Sequence, residues 1–376
     1  MKYDFIDLKK QYAALEADIN AGIRSVLERC AFIGGSEVAE LEKALAGYLG
    51  TAEVVACGNG TTSLEMALMA LGLGEGDAVF CPAFTFIATA EVVSLRGARP
   101  VFVDIDPRTY NIDPADLEEK IQAVKKEGRY RPKGVIPVDL FGLPADYPAL
   151  EKIAERHGLF ILEDAAQGFG GDIRGRKAGS FGLAASLSFF PAKPLGCYGD
   201  GGAVMTGDAK LAATLRSLRV HGAGSHKYEH VLLGTNSRLD TIQAAVLLVK
   251  LKAFPGELQR RQEVAAAYSA VLGGLCQTPY IPAGYTSGWA QYTVRVPAGQ
   301  RAAIMDELKG KGIPTMIYYP KPLHLQPAFA ALGGRAGDLP AAEAASDEVL
   351  SLPMHPYLSN EDVRDIAGAL AEILKR

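Results

Sequence analysis

Apolar positions recur along this chain with two alternating periods. A helix-period segment runs from Tyr12 to Leu27, and a second from Glu37 to Tyr48 follows the break Gly34-Gly35-Ser36, with Ser36 placed as an N-cap. Short apolar runs then alternate with helical patterns. The runs are Glu53–Ala56, Ala78–Cys81, Pro100–Val103, Gly134–Val138 and Leu159–Leu162. The helices between them are Thr61–Leu71, Ala88–Leu95, Pro114–Val124, with Asp113 as N-cap, and Ala149–Arg156. Continuous apolar strands separated by helices predict an α/β fold, its mostly parallel sheet covered on both faces. Between Ala184 and Thr206 the helical pattern lapses, and two short strands flank the glycine-rich loop Pro191–Gly202. From Ser237 the pattern changes to long helices, Arg238–Leu251 and Glu257–Leu272. A mixed tail follows: strand Gln291–Val296, helix Arg301–Lys311, strand Pro314–Tyr318 and helix Asn360–Leu374. The expectation is a large domain over residues 1–245, opened by a helical segment, and a smaller C-terminal α/β domain over 246–376.

Composition narrows the class. The 376 residues carry a net charge of −4, which gives no electrostatic footprint for nucleic acid. Five scattered cysteines, with no C-x-x-C pair, argue against a disulfide framework and a thiolate zinc site. The opening MKYDFIDLKK lacks the apolar region of a signal peptide. The uncharged run Ala178–Ala192 falls short of the roughly 20 residues needed to span a bilayer. The expectation is a cytoplasmic enzyme with no membrane and no nucleic-acid partner. The 41 glycines, about 11% against a usual 7%, call for a reason.

Three segments carry chemistry. Cys57-Gly58-Asn59-Gly60-Thr61-Thr62-Ser63 follows a strand and opens a helix, where free N–H groups and the helix dipole attract anions. Ser63 stands where a dinucleotide fingerprint has its third glycine, so the segment is a phosphate cradle or a plain strand-to-helix turn. Asp164, in Glu163-Asp164-Ala165-Ala166-Gln167, lies at the carboxyl end of a buried strand, where open α/β sheets bind ligands. A helix N-cap would also account for it. Lys193 ends the uncharged run. A lysine in an apolar pocket has its pKa lowered, as a Schiff-base lysine requires; a surface lysine on a loop is the alternative.

The three together fit one cofactor. Pyridoxal 5′-phosphate needs a lysine for its aldehyde, a carboxylate to keep its ring nitrogen protonated and an anion cradle for its phosphate. A dinucleotide-dependent sugar oxidoreductase fits less well, since it lacks the third glycine and leaves the Asp164/Lys193 pair unused. Nothing in the sequence supports a non-catalytic or regulatory protein. His221, His226 and His230 have loop spacings rather than those of a helical metal site, and no metal is expected.

The ordered set of Phe5-Ile6-Asp7-Leu8, Asn59-Gly60-Thr61-Thr62, Pro82-Ala83-Phe84-Thr85-Phe86, Glu163-Asp164-Ala165-Ala166-Gln167, Ser188-Phe189-Phe190-Pro191-Ala192-Lys193, Gly199-Asp200-Gly201-Gly202, Asn236-Ser237-Arg238-Leu239-Asp240 and Leu352-Pro353-Met354-His355-Pro356 resembles the DegT/DnrJ/EryC1/StrS family of pyridoxal-phosphate-dependent nucleotide-sugar aminotransferases. The resemblance covers nearly the whole chain. It implies the aspartate-aminotransferase-like fold (PLP fold type I). It makes Lys193 the Schiff-base lysine and pairs Asp164 with the pyridinium. Gln167 would stand near the 3-hydroxyl and Phe86 on the ring face, with Gly60, Thr61, Thr62 and Ser188 on the phosphate. Asn236 would reach the phosphate of a neighbouring subunit, which implies a homodimer with shared sites. Phe32, Ala192, Arg238, Tyr318, Tyr319 and His324 would form the substrate side, with L-glutamate as donor. Arg238, and Lys321 after it, would meet the substrate's diphosphate. Ala192 stands where many members carry Ser, and Tyr318 where close ones often carry His. Within the family, the segments around Lys193 and Leu352 resemble the subgroup acting on UDP-2-acetamido-2-deoxy-3-oxo-glucuronate, for surface polysaccharide synthesis. A 4-keto-6-deoxy nucleotide sugar is the alternative substrate. A sugar dehydratase of the same family would carry His in place of Lys193.

Overall fold

A computed structural model describes residues 1–226 and 228–376. In chain order the elements are α1 (Leu8–Arg29), α2 (Ser36–Leu49), β1 (Glu53–Cys57), α3 (Gly60–Ala70), β2 (Asp77–Pro82), α4 (Ala88–Leu95), β3 (Arg99–Val103), α5 (Pro114–Glu127), β4 (Arg131–Val135), α6 (Tyr147–His157) and β5 (Phe160–Asp164). A short hairpin, β6 (Asp172–Ile173) and β7 (Arg176–Lys177), precedes β8 (Ala184–Ser188), β9 (Gly202–Thr206), α7 (Ala209–Leu218) and α8 (Thr241–Leu272). The chain ends with β10 (Tyr285–Thr286), β11 (Tyr292–Arg295), α9 (Arg301–Gly310), α10 (Pro340–Glu348), β12 (Val349–Leu352) and α11 (Asn360–Leu374).

Seven strands form the main sheet in the order β1-β9-β8-β5-β4-β2-β3. Every neighbouring pair is parallel except the two made by β9, which runs against both β1 and β8. Helices cover both faces, and the central strands are buried on both, which is why they read as unbroken apolar runs. The carboxyl ends of β1, β8 and β5 and the start of β9 lie on one edge of this sheet, and the functional segments gather there.

Several sequence expectations change in detail. α8 is one helix, not two, and passes through Pro255. A proline removes one backbone donor and ordinarily breaks a helix, but here Phe254 and Val264 are fully buried on either side, and packing carries the helix through. Its first half packs through Ala244, Leu247 and Phe254 into the core around the large sheet. Its second half packs with Val264, Tyr268 and Leu272 into a separate core containing Tyr292, Leu350 and Ile366. The division expected between residues 245 and 246 therefore falls inside α8, and the core changes hands further on. The run Pro314–Tyr318 makes no strand: only Met316 bridges to Ser351, and the chain then leaves the small sheet to line the cleft. α2 is capped by Gly35 rather than Ser36, which is the first helical residue. No helix among the described residues is long and apolar enough to cross a membrane, and the longer uncharged run from Val264 to Val294 is divided between the end of α8 and β11.

Candidate active site

A cleft of about 630 Å³ opens over the carboxyl edge of the sheet, within the size range of cofactor and ligand pockets. α3 begins at its floor. Asn59 caps this helix: its Oδ1 accepts from the Thr62 N–H at 2.8 Å and its carbonyl from the Ser63 N–H at 3.0 Å. Among the described residues the Gly60 and Thr61 N–H groups have no protein acceptor, so the open end of the helix faces the cleft with the Thr61, Thr62 and Ser188 side chains around it. Gly60 is required here, because a Cβ on it would stand 2.7 Å from the Ser188 Cβ. Gly202 is held just as tightly: its Cβ would meet the Asn59 carbonyl at 2.5 Å. Part of the glycine excess is thereby explained by backbone packed on backbone beneath an anion cradle.

Asp164 ends β5 and is buried. Its Oδ2 accepts from the Thr89 hydroxyl at 2.8 Å and its Oδ1 from the Ala166 N–H at 3.2 Å. Burial raises its pKa, while the Thr89 and Ala166 bonds and the charge of Lys193 oppose the rise. Lys193 follows β8 on a turn in which its N–H donates to the Phe190 carbonyl at 2.8 Å. Desolvation lowers the Lys193 pKa, and Asp164 partly offsets this. The cleft thus holds an amine biased toward its neutral form and a carboxylate in reach of its field.

Gln167 is fixed at both ends. Its Oε1 accepts from the Phe141 N–H at 2.8 Å, and its Nε2 donates to the Tyr319 hydroxyl at 3.0 Å. Phe86, half-exposed, and buried Val138 supply apolar walls. Ala192, Tyr318 and Tyr319 line the same cleft, so the structure gathers most of the residues expected from the sequence.

Others lie apart. Asn236 and Arg238 are exposed on a segment beside the cradle, where the Gly58 N–H donates to the Ser237 hydroxyl at 3.2 Å. Phe32 is 45% exposed, and its carbonyl accepts from the Thr241 N–H. None of these three lines the cleft of a single chain. His324 faces a different recess, with its Nε2 3.0 Å from Glu343 Oε1. Its place among the substrate residues therefore finds no support: the short helical turn at Leu323–Leu325 points it away from the cleft. Sequence reasoning missed Thr89, Asp200 and Gln291. Thr89 had a signal, a hydroxyl on the otherwise apolar buried face of α4; Gln291 had none, because only the fold brings the start of β11 to the cleft.

A phosphate cradle, a desolvated lysine, a carboxylate at the end of the central strand and an apolar wall fit pyridoxal phosphate in every part. They define a pyridoxal-phosphate-dependent aminotransferase of the type I fold. The DegT/DnrJ/EryC1/StrS aminotransferase family matches residues 13–371, and the chain belongs to it. It is 46% identical over 368 residues to the UDP-2-acetamido-2-deoxy-3-oxo-D-glucuronate aminotransferase of Pseudomonas aeruginosa, covering 98% of this chain and 99% of that one. A DegT/DnrJ/EryC1/StrS aminotransferase crystal structure from Brucella abortus superposes with a TM-score of 0.97 at 51% identity, covering 100% of both chains. NtdA from Bacillus subtilis, solved with bound cofactor PMP, superposes with a TM-score of 0.88 at 31% identity, over 99% of this chain and 83% of that one.

Proposed function

We propose that the enzyme moves an amino group from L-glutamate to a UDP-linked 3-keto sugar, UDP-2-acetamido-2-deoxy-3-oxo-glucuronate, for surface polysaccharide synthesis in the cytoplasm. The observation that carries this reading is the meeting of Lys193, Asp164 and the α3 terminus in one cleft, on a chain nearly half identical to a relative named for that substrate.

When bound, the cofactor supplies an electron sink for a carbanion. Gly60 and Thr61 N–H groups and the Thr61, Thr62 and Ser188 hydroxyls would hold its phosphate. Asp164 would keep its ring nitrogen protonated, Gln167 would meet its 3-hydroxyl, and Phe86 would cover one face. Lys193 would hold it covalently. Once released, the Lys193 Nζ, biased toward its neutral form by desolvation, would serve as a base to take a proton from the substrate carbon. Tyr318, Tyr319 and Ala192 would shape the sugar subsite.

The chain is proposed to work as a homodimer. Asn236, Arg238 and Phe32 are exposed in one copy, and the apolar stretch Val231–Leu233 beside them is exposed as well, with Leu233 at 93%. A second copy would cover this surface and receive Asn236 at its phosphate and Arg238 near the substrate's diphosphate.

The purified protein should be yellow and lose its visible band as L-glutamate is added. Turnover should favour the UDP-linked 3-keto uronate over 4-keto-6-deoxy nucleotide sugars in a coupled assay. A colourless protein, or one that answers to no amino donor, would refute the reading of the cleft. A preference for the 4-keto sugar would overturn only the substrate.

A further inference from the structure

Behind Asp164, on the side away from the cleft, two more carboxyl groups are enclosed. Asp139 and Glu163 are both fully buried. Asp139 Oδ1 accepts from the Tyr147 hydroxyl at 2.9 Å and from the Ala145 N–H at 3.1 Å. Glu163 Oε1 accepts from the Gly179 N–H at 2.6 Å, and its Oε2 from the Phe181 N–H at 2.7 Å. Of the four carboxyl oxygens, Asp139 Oδ2 alone has no donor among the described residues. Gly168 leaves room for this oxygen: a Cβ there would stand 2.4 Å from it. Val138 bridges Asp164 in parallel register, which puts Asp139 and Glu163 on the same face of neighbouring strands, where their carboxyls act directly on each other; two buried carboxylates in contact need a proton between them.

The titratable groups facing the pair are Tyr147 from α6 and Asp164 from the end of β5. Lys193 faces Asp164 from the cleft side. Among the described residues neither member of the pair forms a salt bridge, and their hydrogen bonds come from Tyr147 and backbone N–H groups. Burial and mutual repulsion therefore favour keeping a proton on the pair at neutral pH.

We infer that Asp139 and Glu163 share one proton, held between Asp139 Oδ2 and the Glu163 carboxyl, and that this link positions the two side chains facing the cofactor ring. The backbone shows how. The Asp139 N–H donates to the Asp164 carbonyl at 3.0 Å, and two residues further on the Phe141 N–H holds Gln167 Oε1. Glu163 directly precedes Asp164 in β5. One carboxyl–carboxylate link thus fastens the 139–142 segment to the strand end that carries Asp164. Asp139 is a positioning residue, since it acts on the ring only through Asp164 and Gln167. This second half rests on the placement of those two residues proposed above.

Asp139→Asn is the decisive variant, because its amide N–H replaces the shared proton while its oxygen still accepts from Tyr147 and Ala145. The wild-type holoenzyme keeps a carboxyl proton that the unfolded chain has lost above a pH of about 4 to 5. The wild-type folding constant should therefore fall relative to that of Asp139→Asn by about tenfold per pH unit. Urea unfolding of both proteins between pH 5 and 8 reads this directly; a ratio independent of pH overturns the shared proton. Wild-type holoenzyme alone supplies a second reading: its infrared spectrum at neutral pH should show a protonated buried carboxyl, and absence of that band also overturns it. For positioning, Asp139→Ala should shift the pH midpoint of the cofactor's visible absorbance, and Asp139→Asn should restore it. An unshifted midpoint in Asp139→Ala refutes the positioning role. If Asp164→Asn also leaves the midpoint unmoved, the placement of Asp164 against the ring is what fails.

Discussion

Replacing Gly202 by alanine tests whether the glycines around Lys193 exist to let backbone meet backbone under the cradle. Gly202 opens β9 and is paired on one side with Cys57 of β1 and on the other with Ser188 of β8. An added Cβ would stand 2.5 Å from both the carbonyl carbon and oxygen of Asn59, and 2.8 Å from the Gly60 nitrogen. Ordinary contacts begin at 3.4 Å, so something must move by about 1 Å. No flexible side chain can absorb this, and β9 is held by strands on both sides; the start of α3 must yield. Overpacking of this kind costs about 1–3 kcal/mol. Tilting one phosphate donor out of line loses a charge-assisted hydrogen bond, about 1.5–3 kcal/mol, or roughly tenfold to 100-fold in cofactor affinity. Gly368→Ala is the control: Gly368 lies within α11 with nothing within 4 Å of its added carbon. That change should stabilise by about 0.5–1 kcal/mol, the usual helical cost of glycine. Urea midpoints and a cofactor titration followed by absorbance give both numbers. If Gly202→Ala keeps its midpoint and binds cofactor within about twofold of wild type, the packing argument is wrong.

Three further outcomes are expected. Lys193→Ala should still bind the cofactor's phosphate but lose turnover by at least about 10³-fold, as removal of a covalent attachment and a proton carrier implies; single-turnover kinetics with L-glutamate check it. Tyr319→Phe should free one end of Gln167, weakening cofactor binding by about twofold to tenfold, the value of one neutral hydrogen bond, as read by equilibrium dialysis. Burial and Arg261 lower the His355 pKa to about 4, so between pH 6.5 and 4 the unfolded chain takes up a proton that the folded one refuses. The stability that neutral His355 contributes is complete above pH 6.5 and is lost as the pH falls through that window. The melting temperature of His355→Gln should fall less steeply than that of wild type over the same range.

Period and local chemistry determined much of this protein from sequence alone. The strand runs had to be parallel and covered because they were apolar on both faces. Asp113-Pro114 had to start a helix, and it does, with the Asp113 side chain accepting from Ala115. The cradle, Asp164 and Lys193 were legible because each follows a strand at the same edge, where the topology leaves room for a ligand. Other features depend on atoms distant in sequence. Thr89 reaches Asp164 across 75 residues, Gln167 meets Tyr319 across 152, and Gln291, just before β11, lines the cleft from far along the chain. His324 lines a different recess for the same reason, since a side chain's neighbours tell which recess it faces and its sequence position does not. The unbroken α8 shows tertiary packing overriding a proline rule that is sound locally. The proton between Asp139 and Glu163 belongs to the folded state alone: two carboxyls 24 positions apart titrate as ordinary acids until burial brings them into contact.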